Sequence, residues 1–264
     1  MDRFVDERDF HLLEADRYTF SVLSRVLRDP CDCILTDHQS LILCHTVMPY
    51  PVWIWTPDHL SASAKEQAWQ LAESQFPLAQ GYRYNLKYEL AEHFIARAQQ
   101  NGLNARIATN MFAYDCPCPI APDKPTDGHL HTCTAADTDE AARMIYEFHD
   151  AIAADQQSLD HCRMKAEQHI SRGEFFFWRN AVGETAACCS WNPSDGLGCV
   201  SSVYTRPQHR RKHYAQHLVY HVTQMIADKG LTPMLYTDAD YAASNACYEK
   251  IGYVLRGKLC NISV

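Results

Sequence analysis

The sequence predicts an α/β (α+β) chain in two parts, each with helices and strands of its own. Three observations carry this. The stretch Val200–Tyr253 reads as strand, tight turn, helix and strand, which implies a parallel βαβ pair. Elsewhere, runs with helical apolar spacing alternate with short strand-like runs. Between the two parts, residues 115–128 hold four prolines and a glycine, the composition of a linker. The expected division is 1–125 and 126–264.

In the first part, Phe10, Leu13, Tyr18, Val22, Leu23 and Val26 place one helix over residues 8–27, ended by Pro30. Cys33–Leu35, Leu41–Cys44 and Val52–Trp55 read as short strands, with a turn at Asp37–Gln39. Ser61 is placed to cap a helix whose inner face is Ala64, Ala68, Leu71 and Ala72. A further helix spans Leu86–Gln99, with Leu90, Ala91, Phe94 and Ile95 inward and Gly102 beyond its end. Arg106–Ala113 is strand-like. No basic turn occurs between a strand and a helix in this part.

The second part opens with a strand, His129–Thr134. A helix starts at Asp137, with acids in its first turn and Ala141, Met144, Ile145, Phe148 and Ile152 along one face. Leu159, Cys162, Ala166 and Ile170 mark another. Phe175–Trp178 and Glu184–Trp191 are strands, and Asn192–Gly198 is the next turn. Val200–Thr205 is a strand that Pro207 stops, because proline lacks a backbone donor. From Lys212, the apolar positions Tyr214, Leu218, Val222, Met225 and Ile226 lie on one helical face, which ends at Gly230. A short strand follows at Met234–Thr237, then a helix and a last strand. The turn before the long helix carries Arg206, Arg210, Arg211 and Lys212. Basic side chains beside the free amides of a helix start form an anion site suited to phosphate.

At these residues the chain resembles the GCN5-related N-acetyltransferase superfamily. Its members carry an Arg/Gln-x-x-Gly-x-Gly/Ala turn that opens a helix and holds the pyrophosphate of acetyl-coenzyme A. Here the turn is Arg210-Arg211-Lys212-His213-Tyr214-Ala215, with His213 where the family has glycine. Ser244-Asn245-Ala246-Cys247-Tyr248, followed by Gly252-Tyr253, is similar to the family's closing motif. The resemblance covers the last half of the chain. It implies a mixed central sheet flanked by helices, with a gap between the two central parallel strands where the acyl carrier enters. It also implies acetyl-CoA as cosubstrate, a primary amine as acceptor, and direct transfer between them.

The resemblance also implies roles for single residues. Arg210, Arg211, Lys212, His213, Tyr214 and Ala215 would hold the pyrophosphate. Backbone groups of Val203, Tyr204 and Thr205 would pair with the pantetheine arm. Tyr248 would protonate the departing thiolate. The family's helix asparagine falls at Tyr241, so Asn245 is the substitute. Many relatives place a glutamate on the central strand, where this chain has Ser201. The proton would then leave through water to Glu174, Glu184 or a histidine, or the amine would arrive neutral. Each residue also has a plainer reading: a solvated basic face, an ordinary sheet position, a core aromatic, a helix cap.

Composition limits the alternatives. The chain has 264 residues, 47% of them apolar and 21% charged, which is globular. A net charge of −8 argues against nucleic-acid binding as the main activity and tolerates a cationic acceptor. No apolar run reaches the length of a membrane span. The first residues lack the apolar core of a signal peptide, so the expected compartment is the cytoplasm and the twelve cysteines are expected as reduced thiols. Cys31-Asp32-Cys33 and Cys116-Pro117-Cys118 are spaced too closely for the usual zinc motif, and no metal is expected. Oligomeric state and acceptor identity are not encoded in these patterns. A non-catalytic CoA-binding or protein-interaction module is the alternative function. Residues 1–125 are expected to bind no CoA and to shape the acceptor side; a degenerate copy of the same fold is a third reading of them. A chain beginning near Thr126 is expected to keep CoA affinity if it folds.

Overall fold

The computed structural model describes residues 1–152 and 157–264. The chain forms two compact units. The first comprises Met1–Ala113, Thr237–Tyr241 and Leu255–Val264, and the second comprises Tyr114–Tyr236 and Ala242–Val254. Relative to a cut at 125/126, residues 114–125 thus join the second unit, and the last ten residues join the first.

The run expected as one helix over residues 8–27 is two: α1 (Glu7–Glu14) and α2 (Ser21–Val26). Asp6 caps α1, its side chain accepting from the Arg8 amide. Between the helices, Asp16 is committed elsewhere. Its Oδ2 accepts from Trp55 Nε1 at 2.8 Å and meets Lys87 Nζ at 2.6 Å. Then come β1 (Cys33–Thr36), β2 (Ile42–His45), β3 (Val52–Trp55), α3 (Ala62–Gln75), β4 (Tyr84–Leu86), α4 (Tyr88–Gln100) and β5 (Arg106–Asp115).

The remaining elements are β6 (His129–Thr132), α5 (Thr138–Ala151), α6 (Leu159–Ser171), β7 (Phe175–Arg179), β8 (Thr185–Ser194), β9 (Leu197–Thr205), α7 (Tyr214–Asp228), β10 (Thr232–Asp238), α8 (Ala242–Ile251) and β11 (Val254–Ser263). The turn expected over Asn192–Gly198 is tighter than that. Ser194 already faces Leu197 across the ladder, and Asp195 (φ +45°) and Gly196 (φ +75°) form a two-residue hairpin of left-handed residues. In the sequence, Pro193 obscures the strand around it.

In the first unit the strand order is β1-β2-β3-β4-β11-β5. β1, β2 and β3 are antiparallel neighbours, whereas β3 and β4 run parallel, with Val52 opposite Tyr84. β11 pairs antiparallel with β4, and the buried amides of Asn261 and Asn85 hydrogen-bond at 2.7 Å. β2 and β3 are buried throughout, as strands covered on both faces must be. Trp69 of α3 and Phe94 of α4 pack edge to face in this core.

In the second unit the order is β10-β9-β8-β7-β6. β6 to β9 are antiparallel, while β9 and β10 are the parallel pair that the βαβ pattern predicts. On one face Phe175, Phe177, Cys188 and Tyr204 meet Ala141, Met144 and Ile145 of α5 and Cys162 and Ala166 of α6. α7 covers the other face. There Ile226 lies so close over Gly198 that an added Cβ would come within 2.2 Å of it, so β9 needs glycine at this position.

Along the chain, both halves follow one order: two helices, three antiparallel strands, a helix, a strand parallel to the third, a helix and a final strand. Asp2 even bridges Thr36 of β1 in antiparallel fashion, as β6 pairs with β7. No described helix is long and apolar enough to cross a membrane.

Candidate functional site

The parallel pair β9 and β10 stays in register from Leu197–Thr232 to Val200–Leu235. Beyond that point, β9 continues as Ser201–Thr205 against β8, with no β10 partner among the described residues. A bulge coincides with the parting. Ser190 faces Ser201, but Cys188 faces Tyr204, so two residues of β9 oppose one of β8, and Ser202 takes a φ of +52°. A bulge bends its strand and re-aims the side chains beyond it. Val203, Tyr204 and Thr205 therefore lie on a length of β9 whose outer edge has no β10 partner among the described residues. Tyr204 is buried against α5 and α6, and its neighbours are half-buried.

The turn after β9 is built around left-handed backbone. Arg211 has φ +63° and His213, at the N-cap of α7, has φ +64°. Such changes of hand turn successive N–H groups to one side and make an anion-binding concavity. Histidine is among the side chains that enter the left-handed region more readily than most. The imidazole is turned onto Gln216, Nδ1 lying 3.3 Å from its Oε1. α7 has no side-chain cap, so the amides of its first turn remain as donors at the positive end of a long helix.

Of the four basic residues in the turn, three are available. Arg206 is tied to α5, Nη2 meeting Glu147 Oε1 at 3.1 Å and Nη1 meeting Glu140 Oε1 at 2.8 Å. Arg210 reaches back to the Thr205 carbonyl with Nε at 3.2 Å, and its side chain, like those of Arg211 and Lys212, is exposed. Tyr214 is buried and Ala215 half-buried at the start of α7.

The segment expected as a linker is fixed to this turn. Thr126 Oγ1 donates to the Lys212 carbonyl at 2.7 Å, and Tyr214 Oη donates to Asp127 Oδ1 at 2.5 Å. His217 Nε2 lies 2.8 Å from the Lys124 carbonyl. Nearer its start, the Ile120 amide donates to Ile251 at the end of α8, at 2.7 Å. Proline-rich composition removes donors from the strap, but its carbonyls and side chains still anchor it.

Asn245 and Tyr248 occupy one face of α8, three residues apart. Asn245 is half-buried; Tyr248 is buried, with its ring edge-on to Tyr253 at 5.9 Å. Tyr253 is held in turn by Thr223 of α7, hydroxyl to hydroxyl at 2.8 Å.

Ser201 Oγ pairs with the buried Ser190 Oγ at 2.9 Å, on the face that α5 and α6 cover. Neither carboxylate expected as a relay reaches it. Glu174 lines up with Trp191, whose amide donates to its carbonyl, and Trp191 faces Val200. The Glu174 carboxylate is turned to α6, Oε2 lying 4.0 Å from His169 Nδ1. Burial pushes the Glu174 carboxyl up, opposed by Arg172 and Lys229. Glu184 accepts from Asn180 Nδ2 at 2.9 Å. It lies six residues along β8 from Ser190, roughly 20 Å at the rise of a strand.

Two clusters have the composition of metal ligands, and both are satisfied internally. Asp137 accepts from Thr134 N and Oγ1 and contacts His131 and Arg179. Asp9 accepts from Thr36 Oγ1 and the Asp6 amide, and lies 2.7 Å from His38 Nδ1. The described cysteines are free thiols.

The corresponding turn of the first unit, between β3 and α3, is built differently. Ser61 Oγ accepts from the Ala64 amide, capping α3. Glu89 Oε2 takes the His59 amide at 3.0 Å, and Asp58 pairs with Lys87 at 2.8 Å. Both carboxylates are themselves paired with lysines, Glu89 with Lys65 at 2.6 Å and Asp58 with Lys87.

Residues 177–262 match the sequence profile of the family described as FR47-like protein. No curated protein sequence matches the chain. Among solved structures, a GCN5-related N-acetyltransferase from Sphaerobacter thermophilus superposes with a TM-score of 0.68 at 14% identity, covering 99% of this chain and 94% of its own. One from Kribbella flavida gives 0.64 at 17% identity, covering 94% and 95%. An acetyltransferase of the same family from Colwellia psychrerythraea gives 0.59 at 12% identity, covering 99% and 98%. The C-terminal half of the chain thus carries a match to the FR47-like family within the fold of the GCN5-related N-acetyltransferases.

Proposed function

We propose that this chain is an acyltransferase that moves an acetyl group from acetyl-CoA to a primary amine by direct attack. The observation that carries the reading is the uncapped N-terminus of α7, flanked by Arg210, Arg211 and Lys212, where β9 has parted from β10. On this reading the pyrophosphate binds the amides from Arg211 to Ala215. The pantetheine arm pairs along Val203, Tyr204 and Thr205. The thioester then lies toward α8, with Asn245 beside it and Tyr248 as donor to the leaving sulfur. Holding thioester and amine together supplies most of the rate. Residues 126–264 carry this chemistry, and residues 1–125 are a second copy without the phosphate turn.

Ser201 and Ser190 bring no carboxylate to the reacting centre, so the amine attacks as the neutral form that water leaves it in. The rate should therefore rise with pH along the acceptor's own titration. It would be half-maximal near pH 8 and level about one unit above for an α-amine, of pKa about 7.7–8.0, and keep rising for a lysine-like amine of pKa about 10.4.

Release of free thiol from acetyl-CoA with a panel of primary amines tests the proposal. Amine-dependent release supports it. The missing carboxylate at Ser201 favours a second reading, a CoA-binding module without turnover. CoA binding with no release on any amine would establish that one, and no binding at all would remove both.

A further inference from the structure

We infer that Thr126 and Asp127, in the strap before β6, are positioning residues that set the anion-binding turn of α7. This rests on the acyltransferase reading of that turn.

The strap is extended by its prolines and holds the turn through three contacts. Thr126 Oγ1 donates to the Lys212 carbonyl at 2.7 Å. A peptide unit is planar, with C=O and N–H opposed. Fixing the Lys212 carbonyl therefore aims the His213 amide away from the strap, toward the concave side of the turn. Asp127 Oδ1 accepts from Tyr214 Oη at 2.5 Å, fixing the first residue of α7 by its side chain. The Lys124 carbonyl meets His217 Nε2 at 2.8 Å, one helical turn further on.

Asp127 is itself immobilised. Its Oδ2 accepts from the Ala181 amide at 3.1 Å, and its carbonyl accepts from Trp178 Nε1 at 2.9 Å. Gly128 is next, with φ +88°, so close to β7 that a Cβ would fall 2.0 Å from the Arg179 carbonyl oxygen. Hydrogen bonds from Tyr214 and Ala181 hold the Asp127 carboxyl below the usual carboxylate range. Burial, with Asp127 alongside, pushes the Tyr214 phenol up to about 12. The pair therefore stays carboxylate and phenol throughout the neutral range. Since a left-handed backbone at Arg211 and His213 is intrinsically unfavourable, something outside the turn must over-determine it, and these contacts do so.

The test uses the full chain, with CoA affinity read by calorimetry and KM and kcat read with the acceptor that gives most turnover. Each lost hydrogen bond is expected to weaken CoA binding about fivefold. Thr126→Val should raise Kd and the KM for acetyl-CoA together by about that factor, with kcat kept within twofold. Asp127→Ala should raise both by tenfold or more. Asp127→Asn retains an acceptor for Tyr214 and should recover most of that loss. A purely structural role would lower melting temperature and active fraction without this split or this rescue. Thr126→Val loses one partly exposed contact and should fold, so an unchanged Kd in that folded variant overturns the inference. If the wild type binds CoA and releases thiol with an amine, and only the variants differ, both readings stand. If the wild type does not bind CoA, the acyltransferase reading fails first.

Discussion

A φ of +64° at His213 has a cost that can be measured. Left-handed backbone costs a non-glycine residue about 1–2 kcal/mol, whereas glycine carries about 0.5–1 kcal/mol of extra unfolded-state entropy. The two nearly cancel, so His213→Gly should leave the melting temperature almost unchanged and keep CoA affinity. His213→Val, β-branched at positive φ, should lose about 2 kcal/mol and weaken CoA as the turn shifts. Calorimetric melts and CoA titrations of the two variants check this. Reversing the charge at Arg210 and Arg211, both exposed, should weaken CoA more than tenfold without unfolding the chain, since charge-assisted contacts to phosphate are the strong ones. Unchanged affinity would return both to a solvated surface. Tyr248→Phe keeps the ring that packs on Tyr253 and deletes only the hydroxyl. A thiol of pKa about 8.5 leaves tolerably unaided, so the turnover rate should drop by about 10²-fold, the low end for general acid catalysis, with Kd for CoA unchanged. Equal turnover would make Tyr248 a core aromatic. At this scale the sequence reveals residue types but not backbone hand or sheet face. Val-Ser-Ser-Val-Tyr reads as an unbroken strand, because nothing about Ser202 announces a bulge. Glu174 looks available to Ser201, but Ser201 pairs with Ser190 and the Glu174 carboxylate lies beside His169 of α6.

Among elements, the contrast between the starts of α3 and α7 is the most informative. α3 is closed by Ser61 and α7 is open. Ser61→Ala should cost about 1 kcal/mol of stability and leave CoA affinity untouched, as a melt and a titration would show. A large loss of affinity instead would mean that the α3 turn, too, handles the cofactor. Ser61, the faces of α4 and α7, and the parallel β9–α7–β10 unit are legible in the sequence, because capping chemistry and apolar period are local properties. Other elements are not. β4 is only Tyr84–Leu86, too short for a period to show, and its last residue merges with the helix pattern after it. The single helix expected over residues 8–27 breaks where Asp16 serves Trp55 and Lys87, which are distant in sequence. The strap misleads in the same way. Prolines mark where regular structure stops, but say nothing about carbonyls and hydroxyls held by α7.

For the whole molecule, chain order and compactness disagree, and truncation should expose it. The proline-rich stretch marks where the second series of elements begins. It does not reveal that the chain's last strand returns to the first unit, because strand pairing is not written in composition. A fragment 126–264 loses residues 114–125, with the bonds from Cys116 N to the Pro233 carbonyl at 2.9 Å and from Ile120 N to the Ile251 carbonyl at 2.7 Å. It also keeps β11 without β4, its partner at Leu86–Cys260, Asn85–Asn261 and Tyr84–Ile262. Cys260 and Ile262, fully buried in the intact chain, are then exposed. Leaving an isoleucine in water forfeits about 1.5–3 kcal/mol, and the unpaired ladder adds to that, against a total stability of about 5–15 kcal/mol. The expectation that a chain starting near Thr126 keeps CoA affinity if it folds therefore turns on that condition. Fragment 126–264 should unfold without a cooperative urea transition and bind CoA weakly. Fragment 1–125 alone should be destabilised by the loss of β11. Co-expression of the two should restore cooperativity and CoA binding together. If 126–264 alone shows the urea midpoint and CoA affinity of the full chain, then β11 and residues 114–125 contribute little, and the cut at 125/126 is the real boundary.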